Sequence, residues 1–181
     1  MNGWWTSFCA RMSSFLKSAG AEKNQSVPDD DLIARFVLQS NLLNKENAKK
    51  ILVKPNAFLP QPLSSVEVSV YRIRDWSERE IQHKGIEVAD ERESNHRKKI
   101  LAKGQSYPAD KRTFKHLGRG QLIVADVRAT SLDVVAKEPP LRHADIVGWP
   151  RPVGLNKKDD EAAQLLYAQM LASKCVFFPA I

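Results

Sequence analysis

The stretch VEVSVYRIRDWSEREI, residues 66–81, decides the fold class of this chain. In its first half, Val66, Val68 and Val70 alternate with polar or aromatic residues. A period of two is typical of a strand that buries one face and exposes the other. The pattern therefore predicts a strand over 66–74.

A helix start signal follows directly. Ser77 and Glu80 match the S-x-x-E capping box, in which each side chain binds the backbone N–H of the other residue. Trp76 and Ile81 stand at the two positions of a hydrophobic staple across the same turn. Two independent signals thus predict a helix over 78–92. Its thin apolar stripe places it on the surface with one side buried.

The residues on the N-terminal side predict a second helix, over 29–41. Three consecutive aspartates at 29–31 suit a first helical turn, because their negative charge faces the positive end of the helix dipole. The apolar residues that follow recur at helical spacing: Leu32, Ile33, Phe36 and Val37.

The C-terminal side adds two strands and a third helix. Apolar runs predict strands over 121–127 and 132–135, and acids followed by an apolar stripe predict a helix over 159–173. Three prolines exclude helix from 54–62, where we expect Phe58 to anchor the loop in the core. Strands and helices in no regular βαβ order predict an α+β fold: a single small mixed domain whose short sheet is covered by about three helices.

Composition divides the 181 residues into segments. We expect an amphipathic helix over 1–20, a linker over 21–28, the α+β domain over 29–175 and an apolar tail over 176–181. A basic insertion interrupts the domain at 93–119. Hydrophobic residues make up 43% and charged residues 27%, which excludes disorder of the whole chain. No run approaches the roughly 20 apolar residues of a membrane span.

The segment 1–20 carries an apolar helical face. An arginine interrupts the apolar run, which argues against a secretory signal. We interpret the face as a partner-binding helix or an interfacial membrane helix, while packing on its own domain and a disordered tail stay open. Its predicted partner-binding residues are Trp4, Trp5, Phe8, Met12 and Phe15.

The available residue types limit the chemistry. Two isolated cysteines, Cys9 and Cys175, predict neither a disulfide framework nor a zinc site, so the cytoplasm is the expected setting. None of the four histidines belongs to an H-x-x-x-H or H-E-x-x-H pair. The chain also lacks the G-x-G-x-x-G, Walker and G-x-S-x-G motifs. We therefore expect no metal and no cofactor.

The net charge is concentrated in one window. Residues 97–119 hold eight basic side chains against the single acid Asp110, and the resulting +7 equals the net charge of the chain. Phosphates of DNA or RNA attract such cations, and Tyr107 and Phe114 could stack on exposed bases. An acidic protein partner and a solvated basic loop are the alternatives. The predicted nucleic-acid-binding residues are Arg97, Lys98, Lys99, Lys103, Lys111, Arg112, Lys115 and Arg119.

A second hypothesis is an enzyme acting on nucleic acid or a nucleotide. His143 and Asp145 share a face if they lie on a strand. Asp126 follows a predicted strand, where a nuclease could hold metal-binding carboxylates. Arg72 lies in the predicted strand over 66–74, and SVYR at 69–72 resembles the first strand of some ADP-ribosyltransferase-like domains, in which a basic residue binds the cofactor. Hydrogen bonds, turn capping and ion pairs are the structural alternatives for these four residues.

Three motifs in order resemble a group of short, uncharacterised bacterial proteins with an "AF-P … SV-R … HA-I-GWP" pattern. They are PNAFLP at 55–60, SVYR at 69–72 and HADIVGWP at 143–150. The resemblance covers 30–175, and 93–119 stands out as an insertion in it. It implies no activity. Together with the basic window, it favours a non-catalytic nucleic-acid-binding or accessory subunit of a bacterial multiprotein system.

Overall fold

The computed structural model describes residues 25–47, 50–108, 110–152 and 157–181. The predicted N-terminal helix over 1–20 lies outside the described residues, together with the first half of the predicted linker, 21–24. The same is true of its partner-binding face, which comprises Trp4, Trp5, Phe8, Met12 and Phe15.

The described chain has an α+β fold with one six-stranded antiparallel sheet, a separate hairpin and three α-helices. In chain order the strands are β1 (Leu32–Val37), β2 (Leu43–Asn47), β3 (Lys50–Val53), β4 (Val68–Arg72), β5 (Gly118–Ile123), β6 (Asp133–Ala136), β7 (His143–Val147) and β8 (Val176–Pro179). The helices are α1 (Glu78–Ala102), α2 (Val124–Arg128) and α3 (Lys157–Lys174), with short 3-10 helices at Ser40–Leu42 and Pro55–Ala57. The sheet order is β6-β7-β4-β1-β5-β8, and β2 pairs with β3.

The sheet carries a hydrophobic cluster on each face. The larger cluster includes Ile33 from the sheet, Phe58 from the proline-rich loop and Leu171 from α3. The smaller cluster includes Phe36 and, from α1, Ile81. The helix α1 thus covers one face, while α2, α3 and the loop cover the other. The expectation that Phe58 anchors its loop in the core is confirmed, since its side chain is fully buried.

The predicted helix over 29–41 is wrong, because this segment forms a turn followed by β1. In β1, Ile33 and Val37 enter the larger cluster, while Ala34 and Phe36 enter the smaller one. A strand that is buried on both faces shows no period of two. Its apolar residues then match a helical spacing by coincidence.

The aspartates before β1 anchor the turn instead of starting a helix. Asp30 pairs with Arg74, just after β4, at 2.7 Å. Asp29 pairs with Arg128 of α2. These contacts tie the turn to neighbouring elements, so the acids mark where β1 begins.

The helix start predicted at residue 77 is confirmed. Ser77 Oγ accepts the backbone N–H of Glu80 at 3.3 Å, and the Glu80 carboxylate accepts the backbone N–H of Ser77 at 2.7 Å. The helix α1 runs on to Ala102 rather than ending at 92, so the first part of the predicted insertion 93–119 is helical.

The other predicted elements shift at their ends. The predicted strand over 121–127 is wrong in its second half, because β5 ends at Ile123 and residues 124–127 belong to the helix α2. Val124 and Val127 enter the larger cluster three residues apart, a spacing that fits a helix as well as an apolar run fits a strand. The predicted strand over 132–135 corresponds to β6. The predicted helix over 159–173 corresponds to α3. Most of the apolar tail over 176–181 forms β8, which pairs with β5 at the edge of the sheet.

Gly85 of α1 lies against the ring of His116, in the segment that leads into β5. A Cβ atom on residue 85 would lie 2.6 Å from Nε2 of His116, which is too close for two non-bonded atoms. The His116 ring also meets Phe36 edge-on, with centroids 5.5 Å apart, and its Nε2 lies 2.9 Å from Oε1 of Gln82. The missing side chain at Gly85 therefore leaves the space that the His116 ring occupies beside α1.

We predict that Gly85→Ala destabilises the protein by about 1–3 kcal/mol, because the methyl group overlaps the His116 ring. Alanine alone would favour the helix by about 1 kcal/mol, so the two effects oppose each other. Urea unfolding measures the difference. Ser94→Ala, on the exposed part of α1, is the control and should change stability by less than about 0.5 kcal/mol. A Gly85→Ala variant more stable than the wild type would show that the His116 ring does not pack against residue 85.

We also predict that His116 makes stability depend on pH. Burial, and then the nearby Arg119, lower its pKa below the usual value of 6.5, although Glu78 opposes this shift. The unfolded ring binds a proton that the folded ring resists, so the free energy of unfolding should fall as pH drops below about 6.5. Urea midpoints at about pH 7.5 and pH 5.5 should differ more for the wild type than for His116→Gln. An equal pH response in both proteins would contradict this role.

Candidate functional site

The strands β1 and β4 pair only near one end. Their ladder consists of Ile33 with Arg72 and Ala34 with Tyr71. By contrast, β1 pairs with β5 through six residue pairs, and β4 pairs with β7 through four. Beyond Ala34 the two central strands therefore separate, and a gap opens inside the sheet.

The side chain of Arg35 spans this gap. Its Nε donates a hydrogen bond to the carbonyl of Ala57 at 3.0 Å, and its Nη1 donates to the carbonyl of Ser69 at 2.7 Å. Ser69 belongs to β4, so a side-chain donor replaces the backbone donor that β1 does not provide. Arg35 thus holds together two strands that no longer pair.

The charge of Arg35 is poorly balanced. Among the described residues, no carboxylate lies within 4.0 Å of its guanidinium. Burial, and then repulsion from Arg92, lower the pKa of Arg35 to about 10, while Asp145 acts in the opposite direction. Arg35 therefore stays charged at neutral pH in a place where an anion would be favoured.

The inner face of α1 changes character along the helix. Near its start, Ile81, Gly85 and Ala89 are buried against the sheet. Farther along, polar residues occupy the same face, and a cleft of about 500 Å³ separates the helix from the strands. The residues of α1 that line this cleft recur at helical spacing: Val88, Glu91, Arg92, Asn95, His96 and Lys99.

The opposite wall of the cleft comes from the sheet and the segments beside it. Its main residues are Arg35, Phe36, Ser69, Tyr71, Phe114 and His143. Positive charge exceeds negative charge in the lining, because Arg35, Arg92 and Lys99 face a single carboxylate, Glu91. None of the three cations forms an ion pair within the part of the chain that the structure describes. The cleft is therefore suited to an anionic ligand.

The structure brings two of the four catalytic candidates together. His143 Nε2 lies 3.8 Å from Asp145 Oδ1. Ala144, between them, lies in the cluster with α2 and α3, so both residues face the α1 side of the sheet. Nδ1 of His143 donates to the carbonyl of Lys137 at 3.0 Å. The Lys137 ammonium also pairs with Asp145, which is 3% exposed, at 3.0 Å.

The other two catalytic candidates lie elsewhere. Asp126, on α2, contacts Lys174 of α3 at 3.6 Å, on the face of the sheet opposite His143. Arg72 pairs with Glu138 at 3.3 Å. Of the four candidates, only His143 lines the cleft. In the described ranges, no group of three or more His, Cys, Asp or Glu side chains could hold a metal ion.

The basic window extends from the end of α1 to β5. Its members lie in the last turns of α1 (Arg97, Lys98, Lys99), at the C-cap (Lys103), in the segment returning to the sheet (Lys111, Arg112, Lys115) and in β5 (Arg119). Six of these eight side chains form no ion pair with any described residue. The exceptions are Arg112, which pairs with Asp90, and Arg119.

Arg119 differs from the rest of the basic window because it is 5% exposed. Its guanidinium binds both oxygens of Glu78, at 2.6 and 2.9 Å, and lies 4.5 Å from the centre of the Phe178 ring. The hydrogen bonds from Arg119 are also the main cause that lowers the pKa of Glu78. Arg119 therefore links β5 to the start of α1. Because its charge is paired with Glu78, it contributes little to the attraction of a ligand.

Two residues of the cleft were not among the sequence candidates. Arg35 is the one charged residue in the apolar stretch LIARFV, an exception that signals a special role in a buried strand. Arg92 precedes His96 and Lys99 by one and two helical turns, so it shares their face. The signal for Arg35 is visible in the sequence alone. The signal for Arg92 requires that α1 continues past residue 92, which the sequence did not predict.

No protein-family model, curated protein or solved structure matches this chain. In the described part of the chain, no helix is both long enough and apolar enough to cross a membrane.

We predict that Arg35→Met lowers the free energy of unfolding by about 1–3 kcal/mol, because the carbonyls of Ala57 and Ser69 lose their donor. The matched control is Lys98→Met, which removes an equal charge from an exposed position on α1 and should leave stability nearly unchanged. Urea unfolding compares the three proteins. Equal stability of Arg35→Met and wild type would show that the gap needs no bridging side chain.

Proposed function

We propose that the protein is a non-catalytic nucleic-acid-binding or accessory subunit of a bacterial multiprotein system. Binding takes place through the exposed cations of the basic window that form no ion pair with described residues and lie outside the cleft. We call this set the basic surface; it comprises Arg97, Lys98, Lys103, Lys111 and Lys115. The bacterial setting and the multiprotein system rest on the motif resemblance alone.

The observation that carries the proposal is the clustering of cations without ion pairs. Elsewhere in the described chain, many exposed or half-exposed cations have a carboxylate partner, as Arg74, Arg142 and Lys137 do. The dipole of α1 favours positive charge near its last turn. It does not account for Lys111 and Lys115, which lie in the returning segment. A field of one sign over both segments attracts polyanions.

The two basic segments are held side by side by Glu93. Its carboxylate accepts the backbone N–H groups of Thr113 and Phe114, each at 2.9 Å, and also bonds the hydroxyl of Tyr107. The returning segment is thereby fastened to α1 within the described structure. Because the cations need little rearrangement to face one ligand, the surface is preorganised for binding.

The surface favours phosphate contacts over base stacking. Two cations lie near the Tyr107 ring, Arg97 at 5.2 Å and Lys111 at 5.9 Å from its centre. Phe114 packs against His96 at 5.6 Å. Neither ring is free to form an extended platform for bases. We therefore infer electrostatic binding with weak sequence preference.

We predict that binding of duplex DNA weakens steeply with salt. If four or five cations touch phosphate, log K should fall with log salt at a slope of about −4. The triple variant Lys98→Gln, Lys103→Gln, Lys111→Gln should flatten the slope by about 2.7. Fluorescence anisotropy between about 50 and 200 mM salt measures both slopes.

The matched control is the triple variant Arg79→Gln, Arg151→Gln, Lys158→Gln. These exposed cations also form no ion pair with described residues, and their loss lowers the net charge equally. The control should keep the wild-type slope. No binding by the wild type at about 50 mM salt, or equal flattening in both triples, would contradict the proposed function.

A further inference from the structure

The cleft differs from the basic surface in its position and in its chemistry. Its cations come from two elements, Arg35 from the sheet and Arg92 and Lys99 from α1, so they enclose a volume rather than form a face. Both arginines line the cleft, and the charge of Arg92 acts repulsively on Arg35. An anion placed between them would relieve that repulsion. The Arg92 guanidinium offers the paired donors that suit a phosphate. Arg35, whose Nε and Nη1 bind the carbonyls of Ala57 and Ser69, adds its positive charge and its Nη2 group.

The other lining residues indicate more than a phosphate ion. Arg92 and Lys99 stand about 10 Å apart along the helix axis, a span longer than one phosphate group. Phe36 is buried and packs against Tyr71 with ring centroids 5.5 Å apart, so the two rings form an apolar aromatic wall. Asn95 contributes an amide that both donates and accepts hydrogen bonds. A volume of about 500 Å³ lies in the range of small-molecule sites. A ligand that matches these residues carries a phosphate, an aromatic ring system and an edge of hydrogen-bonding groups, and a nucleotide has all three.

We infer that the cleft binds one nucleotide through a phosphate monoester, with the phosphate at Arg35 and Arg92 and the base toward Phe36 and Tyr71. A monoester carries about two negative charges and an internal diester only one, so excess positive charge favours the monoester. The nucleotide is either free or the phosphorylated end of a strand. Only the second source rests on the proposed function, because a free nucleotide needs no basic surface.

The experiment compares Arg92→Gln with Arg97→Gln. Both residues are exposed arginines of α1 that form no ion pair with described residues, but only Arg92 lines the cleft. Calorimetry at low salt uses adenosine 5′-monophosphate, uridine 5′-monophosphate, adenosine and inorganic phosphate as probes. We expect the monophosphates to bind, and adenosine and inorganic phosphate to bind at least about tenfold more weakly. Arg92→Gln should weaken the monophosphates about tenfold, while Arg97→Gln stays within about twofold.

A second arm identifies the source of the nucleotide. Single strands of about ten nucleotides, with a 5′-phosphate, a 3′-phosphate or neither, are compared by anisotropy. If a terminal phosphate raises the affinity for the strand, and if this increase is lost in Arg92→Gln but kept in Arg97→Gln, the ligand is the phosphorylated end of a strand. Monophosphate binding without such a gain supports a free nucleotide. Urea unfolding and circular dichroism check that both variants are folded.

Three results would overturn the inference. They are no binding of any monophosphate or terminal phosphate, inorganic phosphate binding as tightly as the nucleotides, and equal losses in Arg92→Gln and Arg97→Gln. If one of these results occurs while duplex DNA still binds with the predicted salt slope, and the basic-surface variant still flattens that slope, only the assignment of the cleft fails. If duplex binding is absent while the monophosphates bind through Arg92, only the proposed function fails.

Discussion

The separation of β1 from β4 is the constraint on which the rest of the structure depends. Two central strands of one sheet pair over two residue pairs and then separate, so backbone groups in the middle of the sheet need other partners. Arg35 donates to one of them, the carbonyl of Ser69 in β4, and also to the carbonyl of Ala57 in the proline-rich loop. The same side chain brings a positive charge into the interior. Stability and the ligand binding that we propose for the cleft thus involve the same residue.

The helix α1 has different tasks in its two halves. Near its start, the capping box, the contact of Gly85 with His116 and the ion pair of Glu78 with Arg119 fasten it to the sheet. In its second half the inner face is polar, and Glu93 ties the returning segment to it. A well-anchored first half lets the second half stand away from the sheet, and this separation forms one wall of the cleft.

Local signals made several elements predictable. The alternation that ends at Arg72 and the capping box at Ser77 depend on neighbouring residues only, so β4 and the start of α1 could be read directly. The pairing of His143 and Asp145 on one face followed from strand geometry. β1 was misread because burial on both faces removes the period of two, and no local signal distinguishes such a strand from a buried helix.

The sequence by itself determined the α+β class, the location of the net charge and the residues that start α1. Only the tertiary structure decided that Arg119 is buried and paired with Glu78 while Lys111 is exposed, although both lie in one basic window. It also decided that Arg35 and Arg92, 57 positions apart in the chain, line one cleft. The physical reason is that burial and charge pairing depend on contacts between distant segments, which local spacing does not encode.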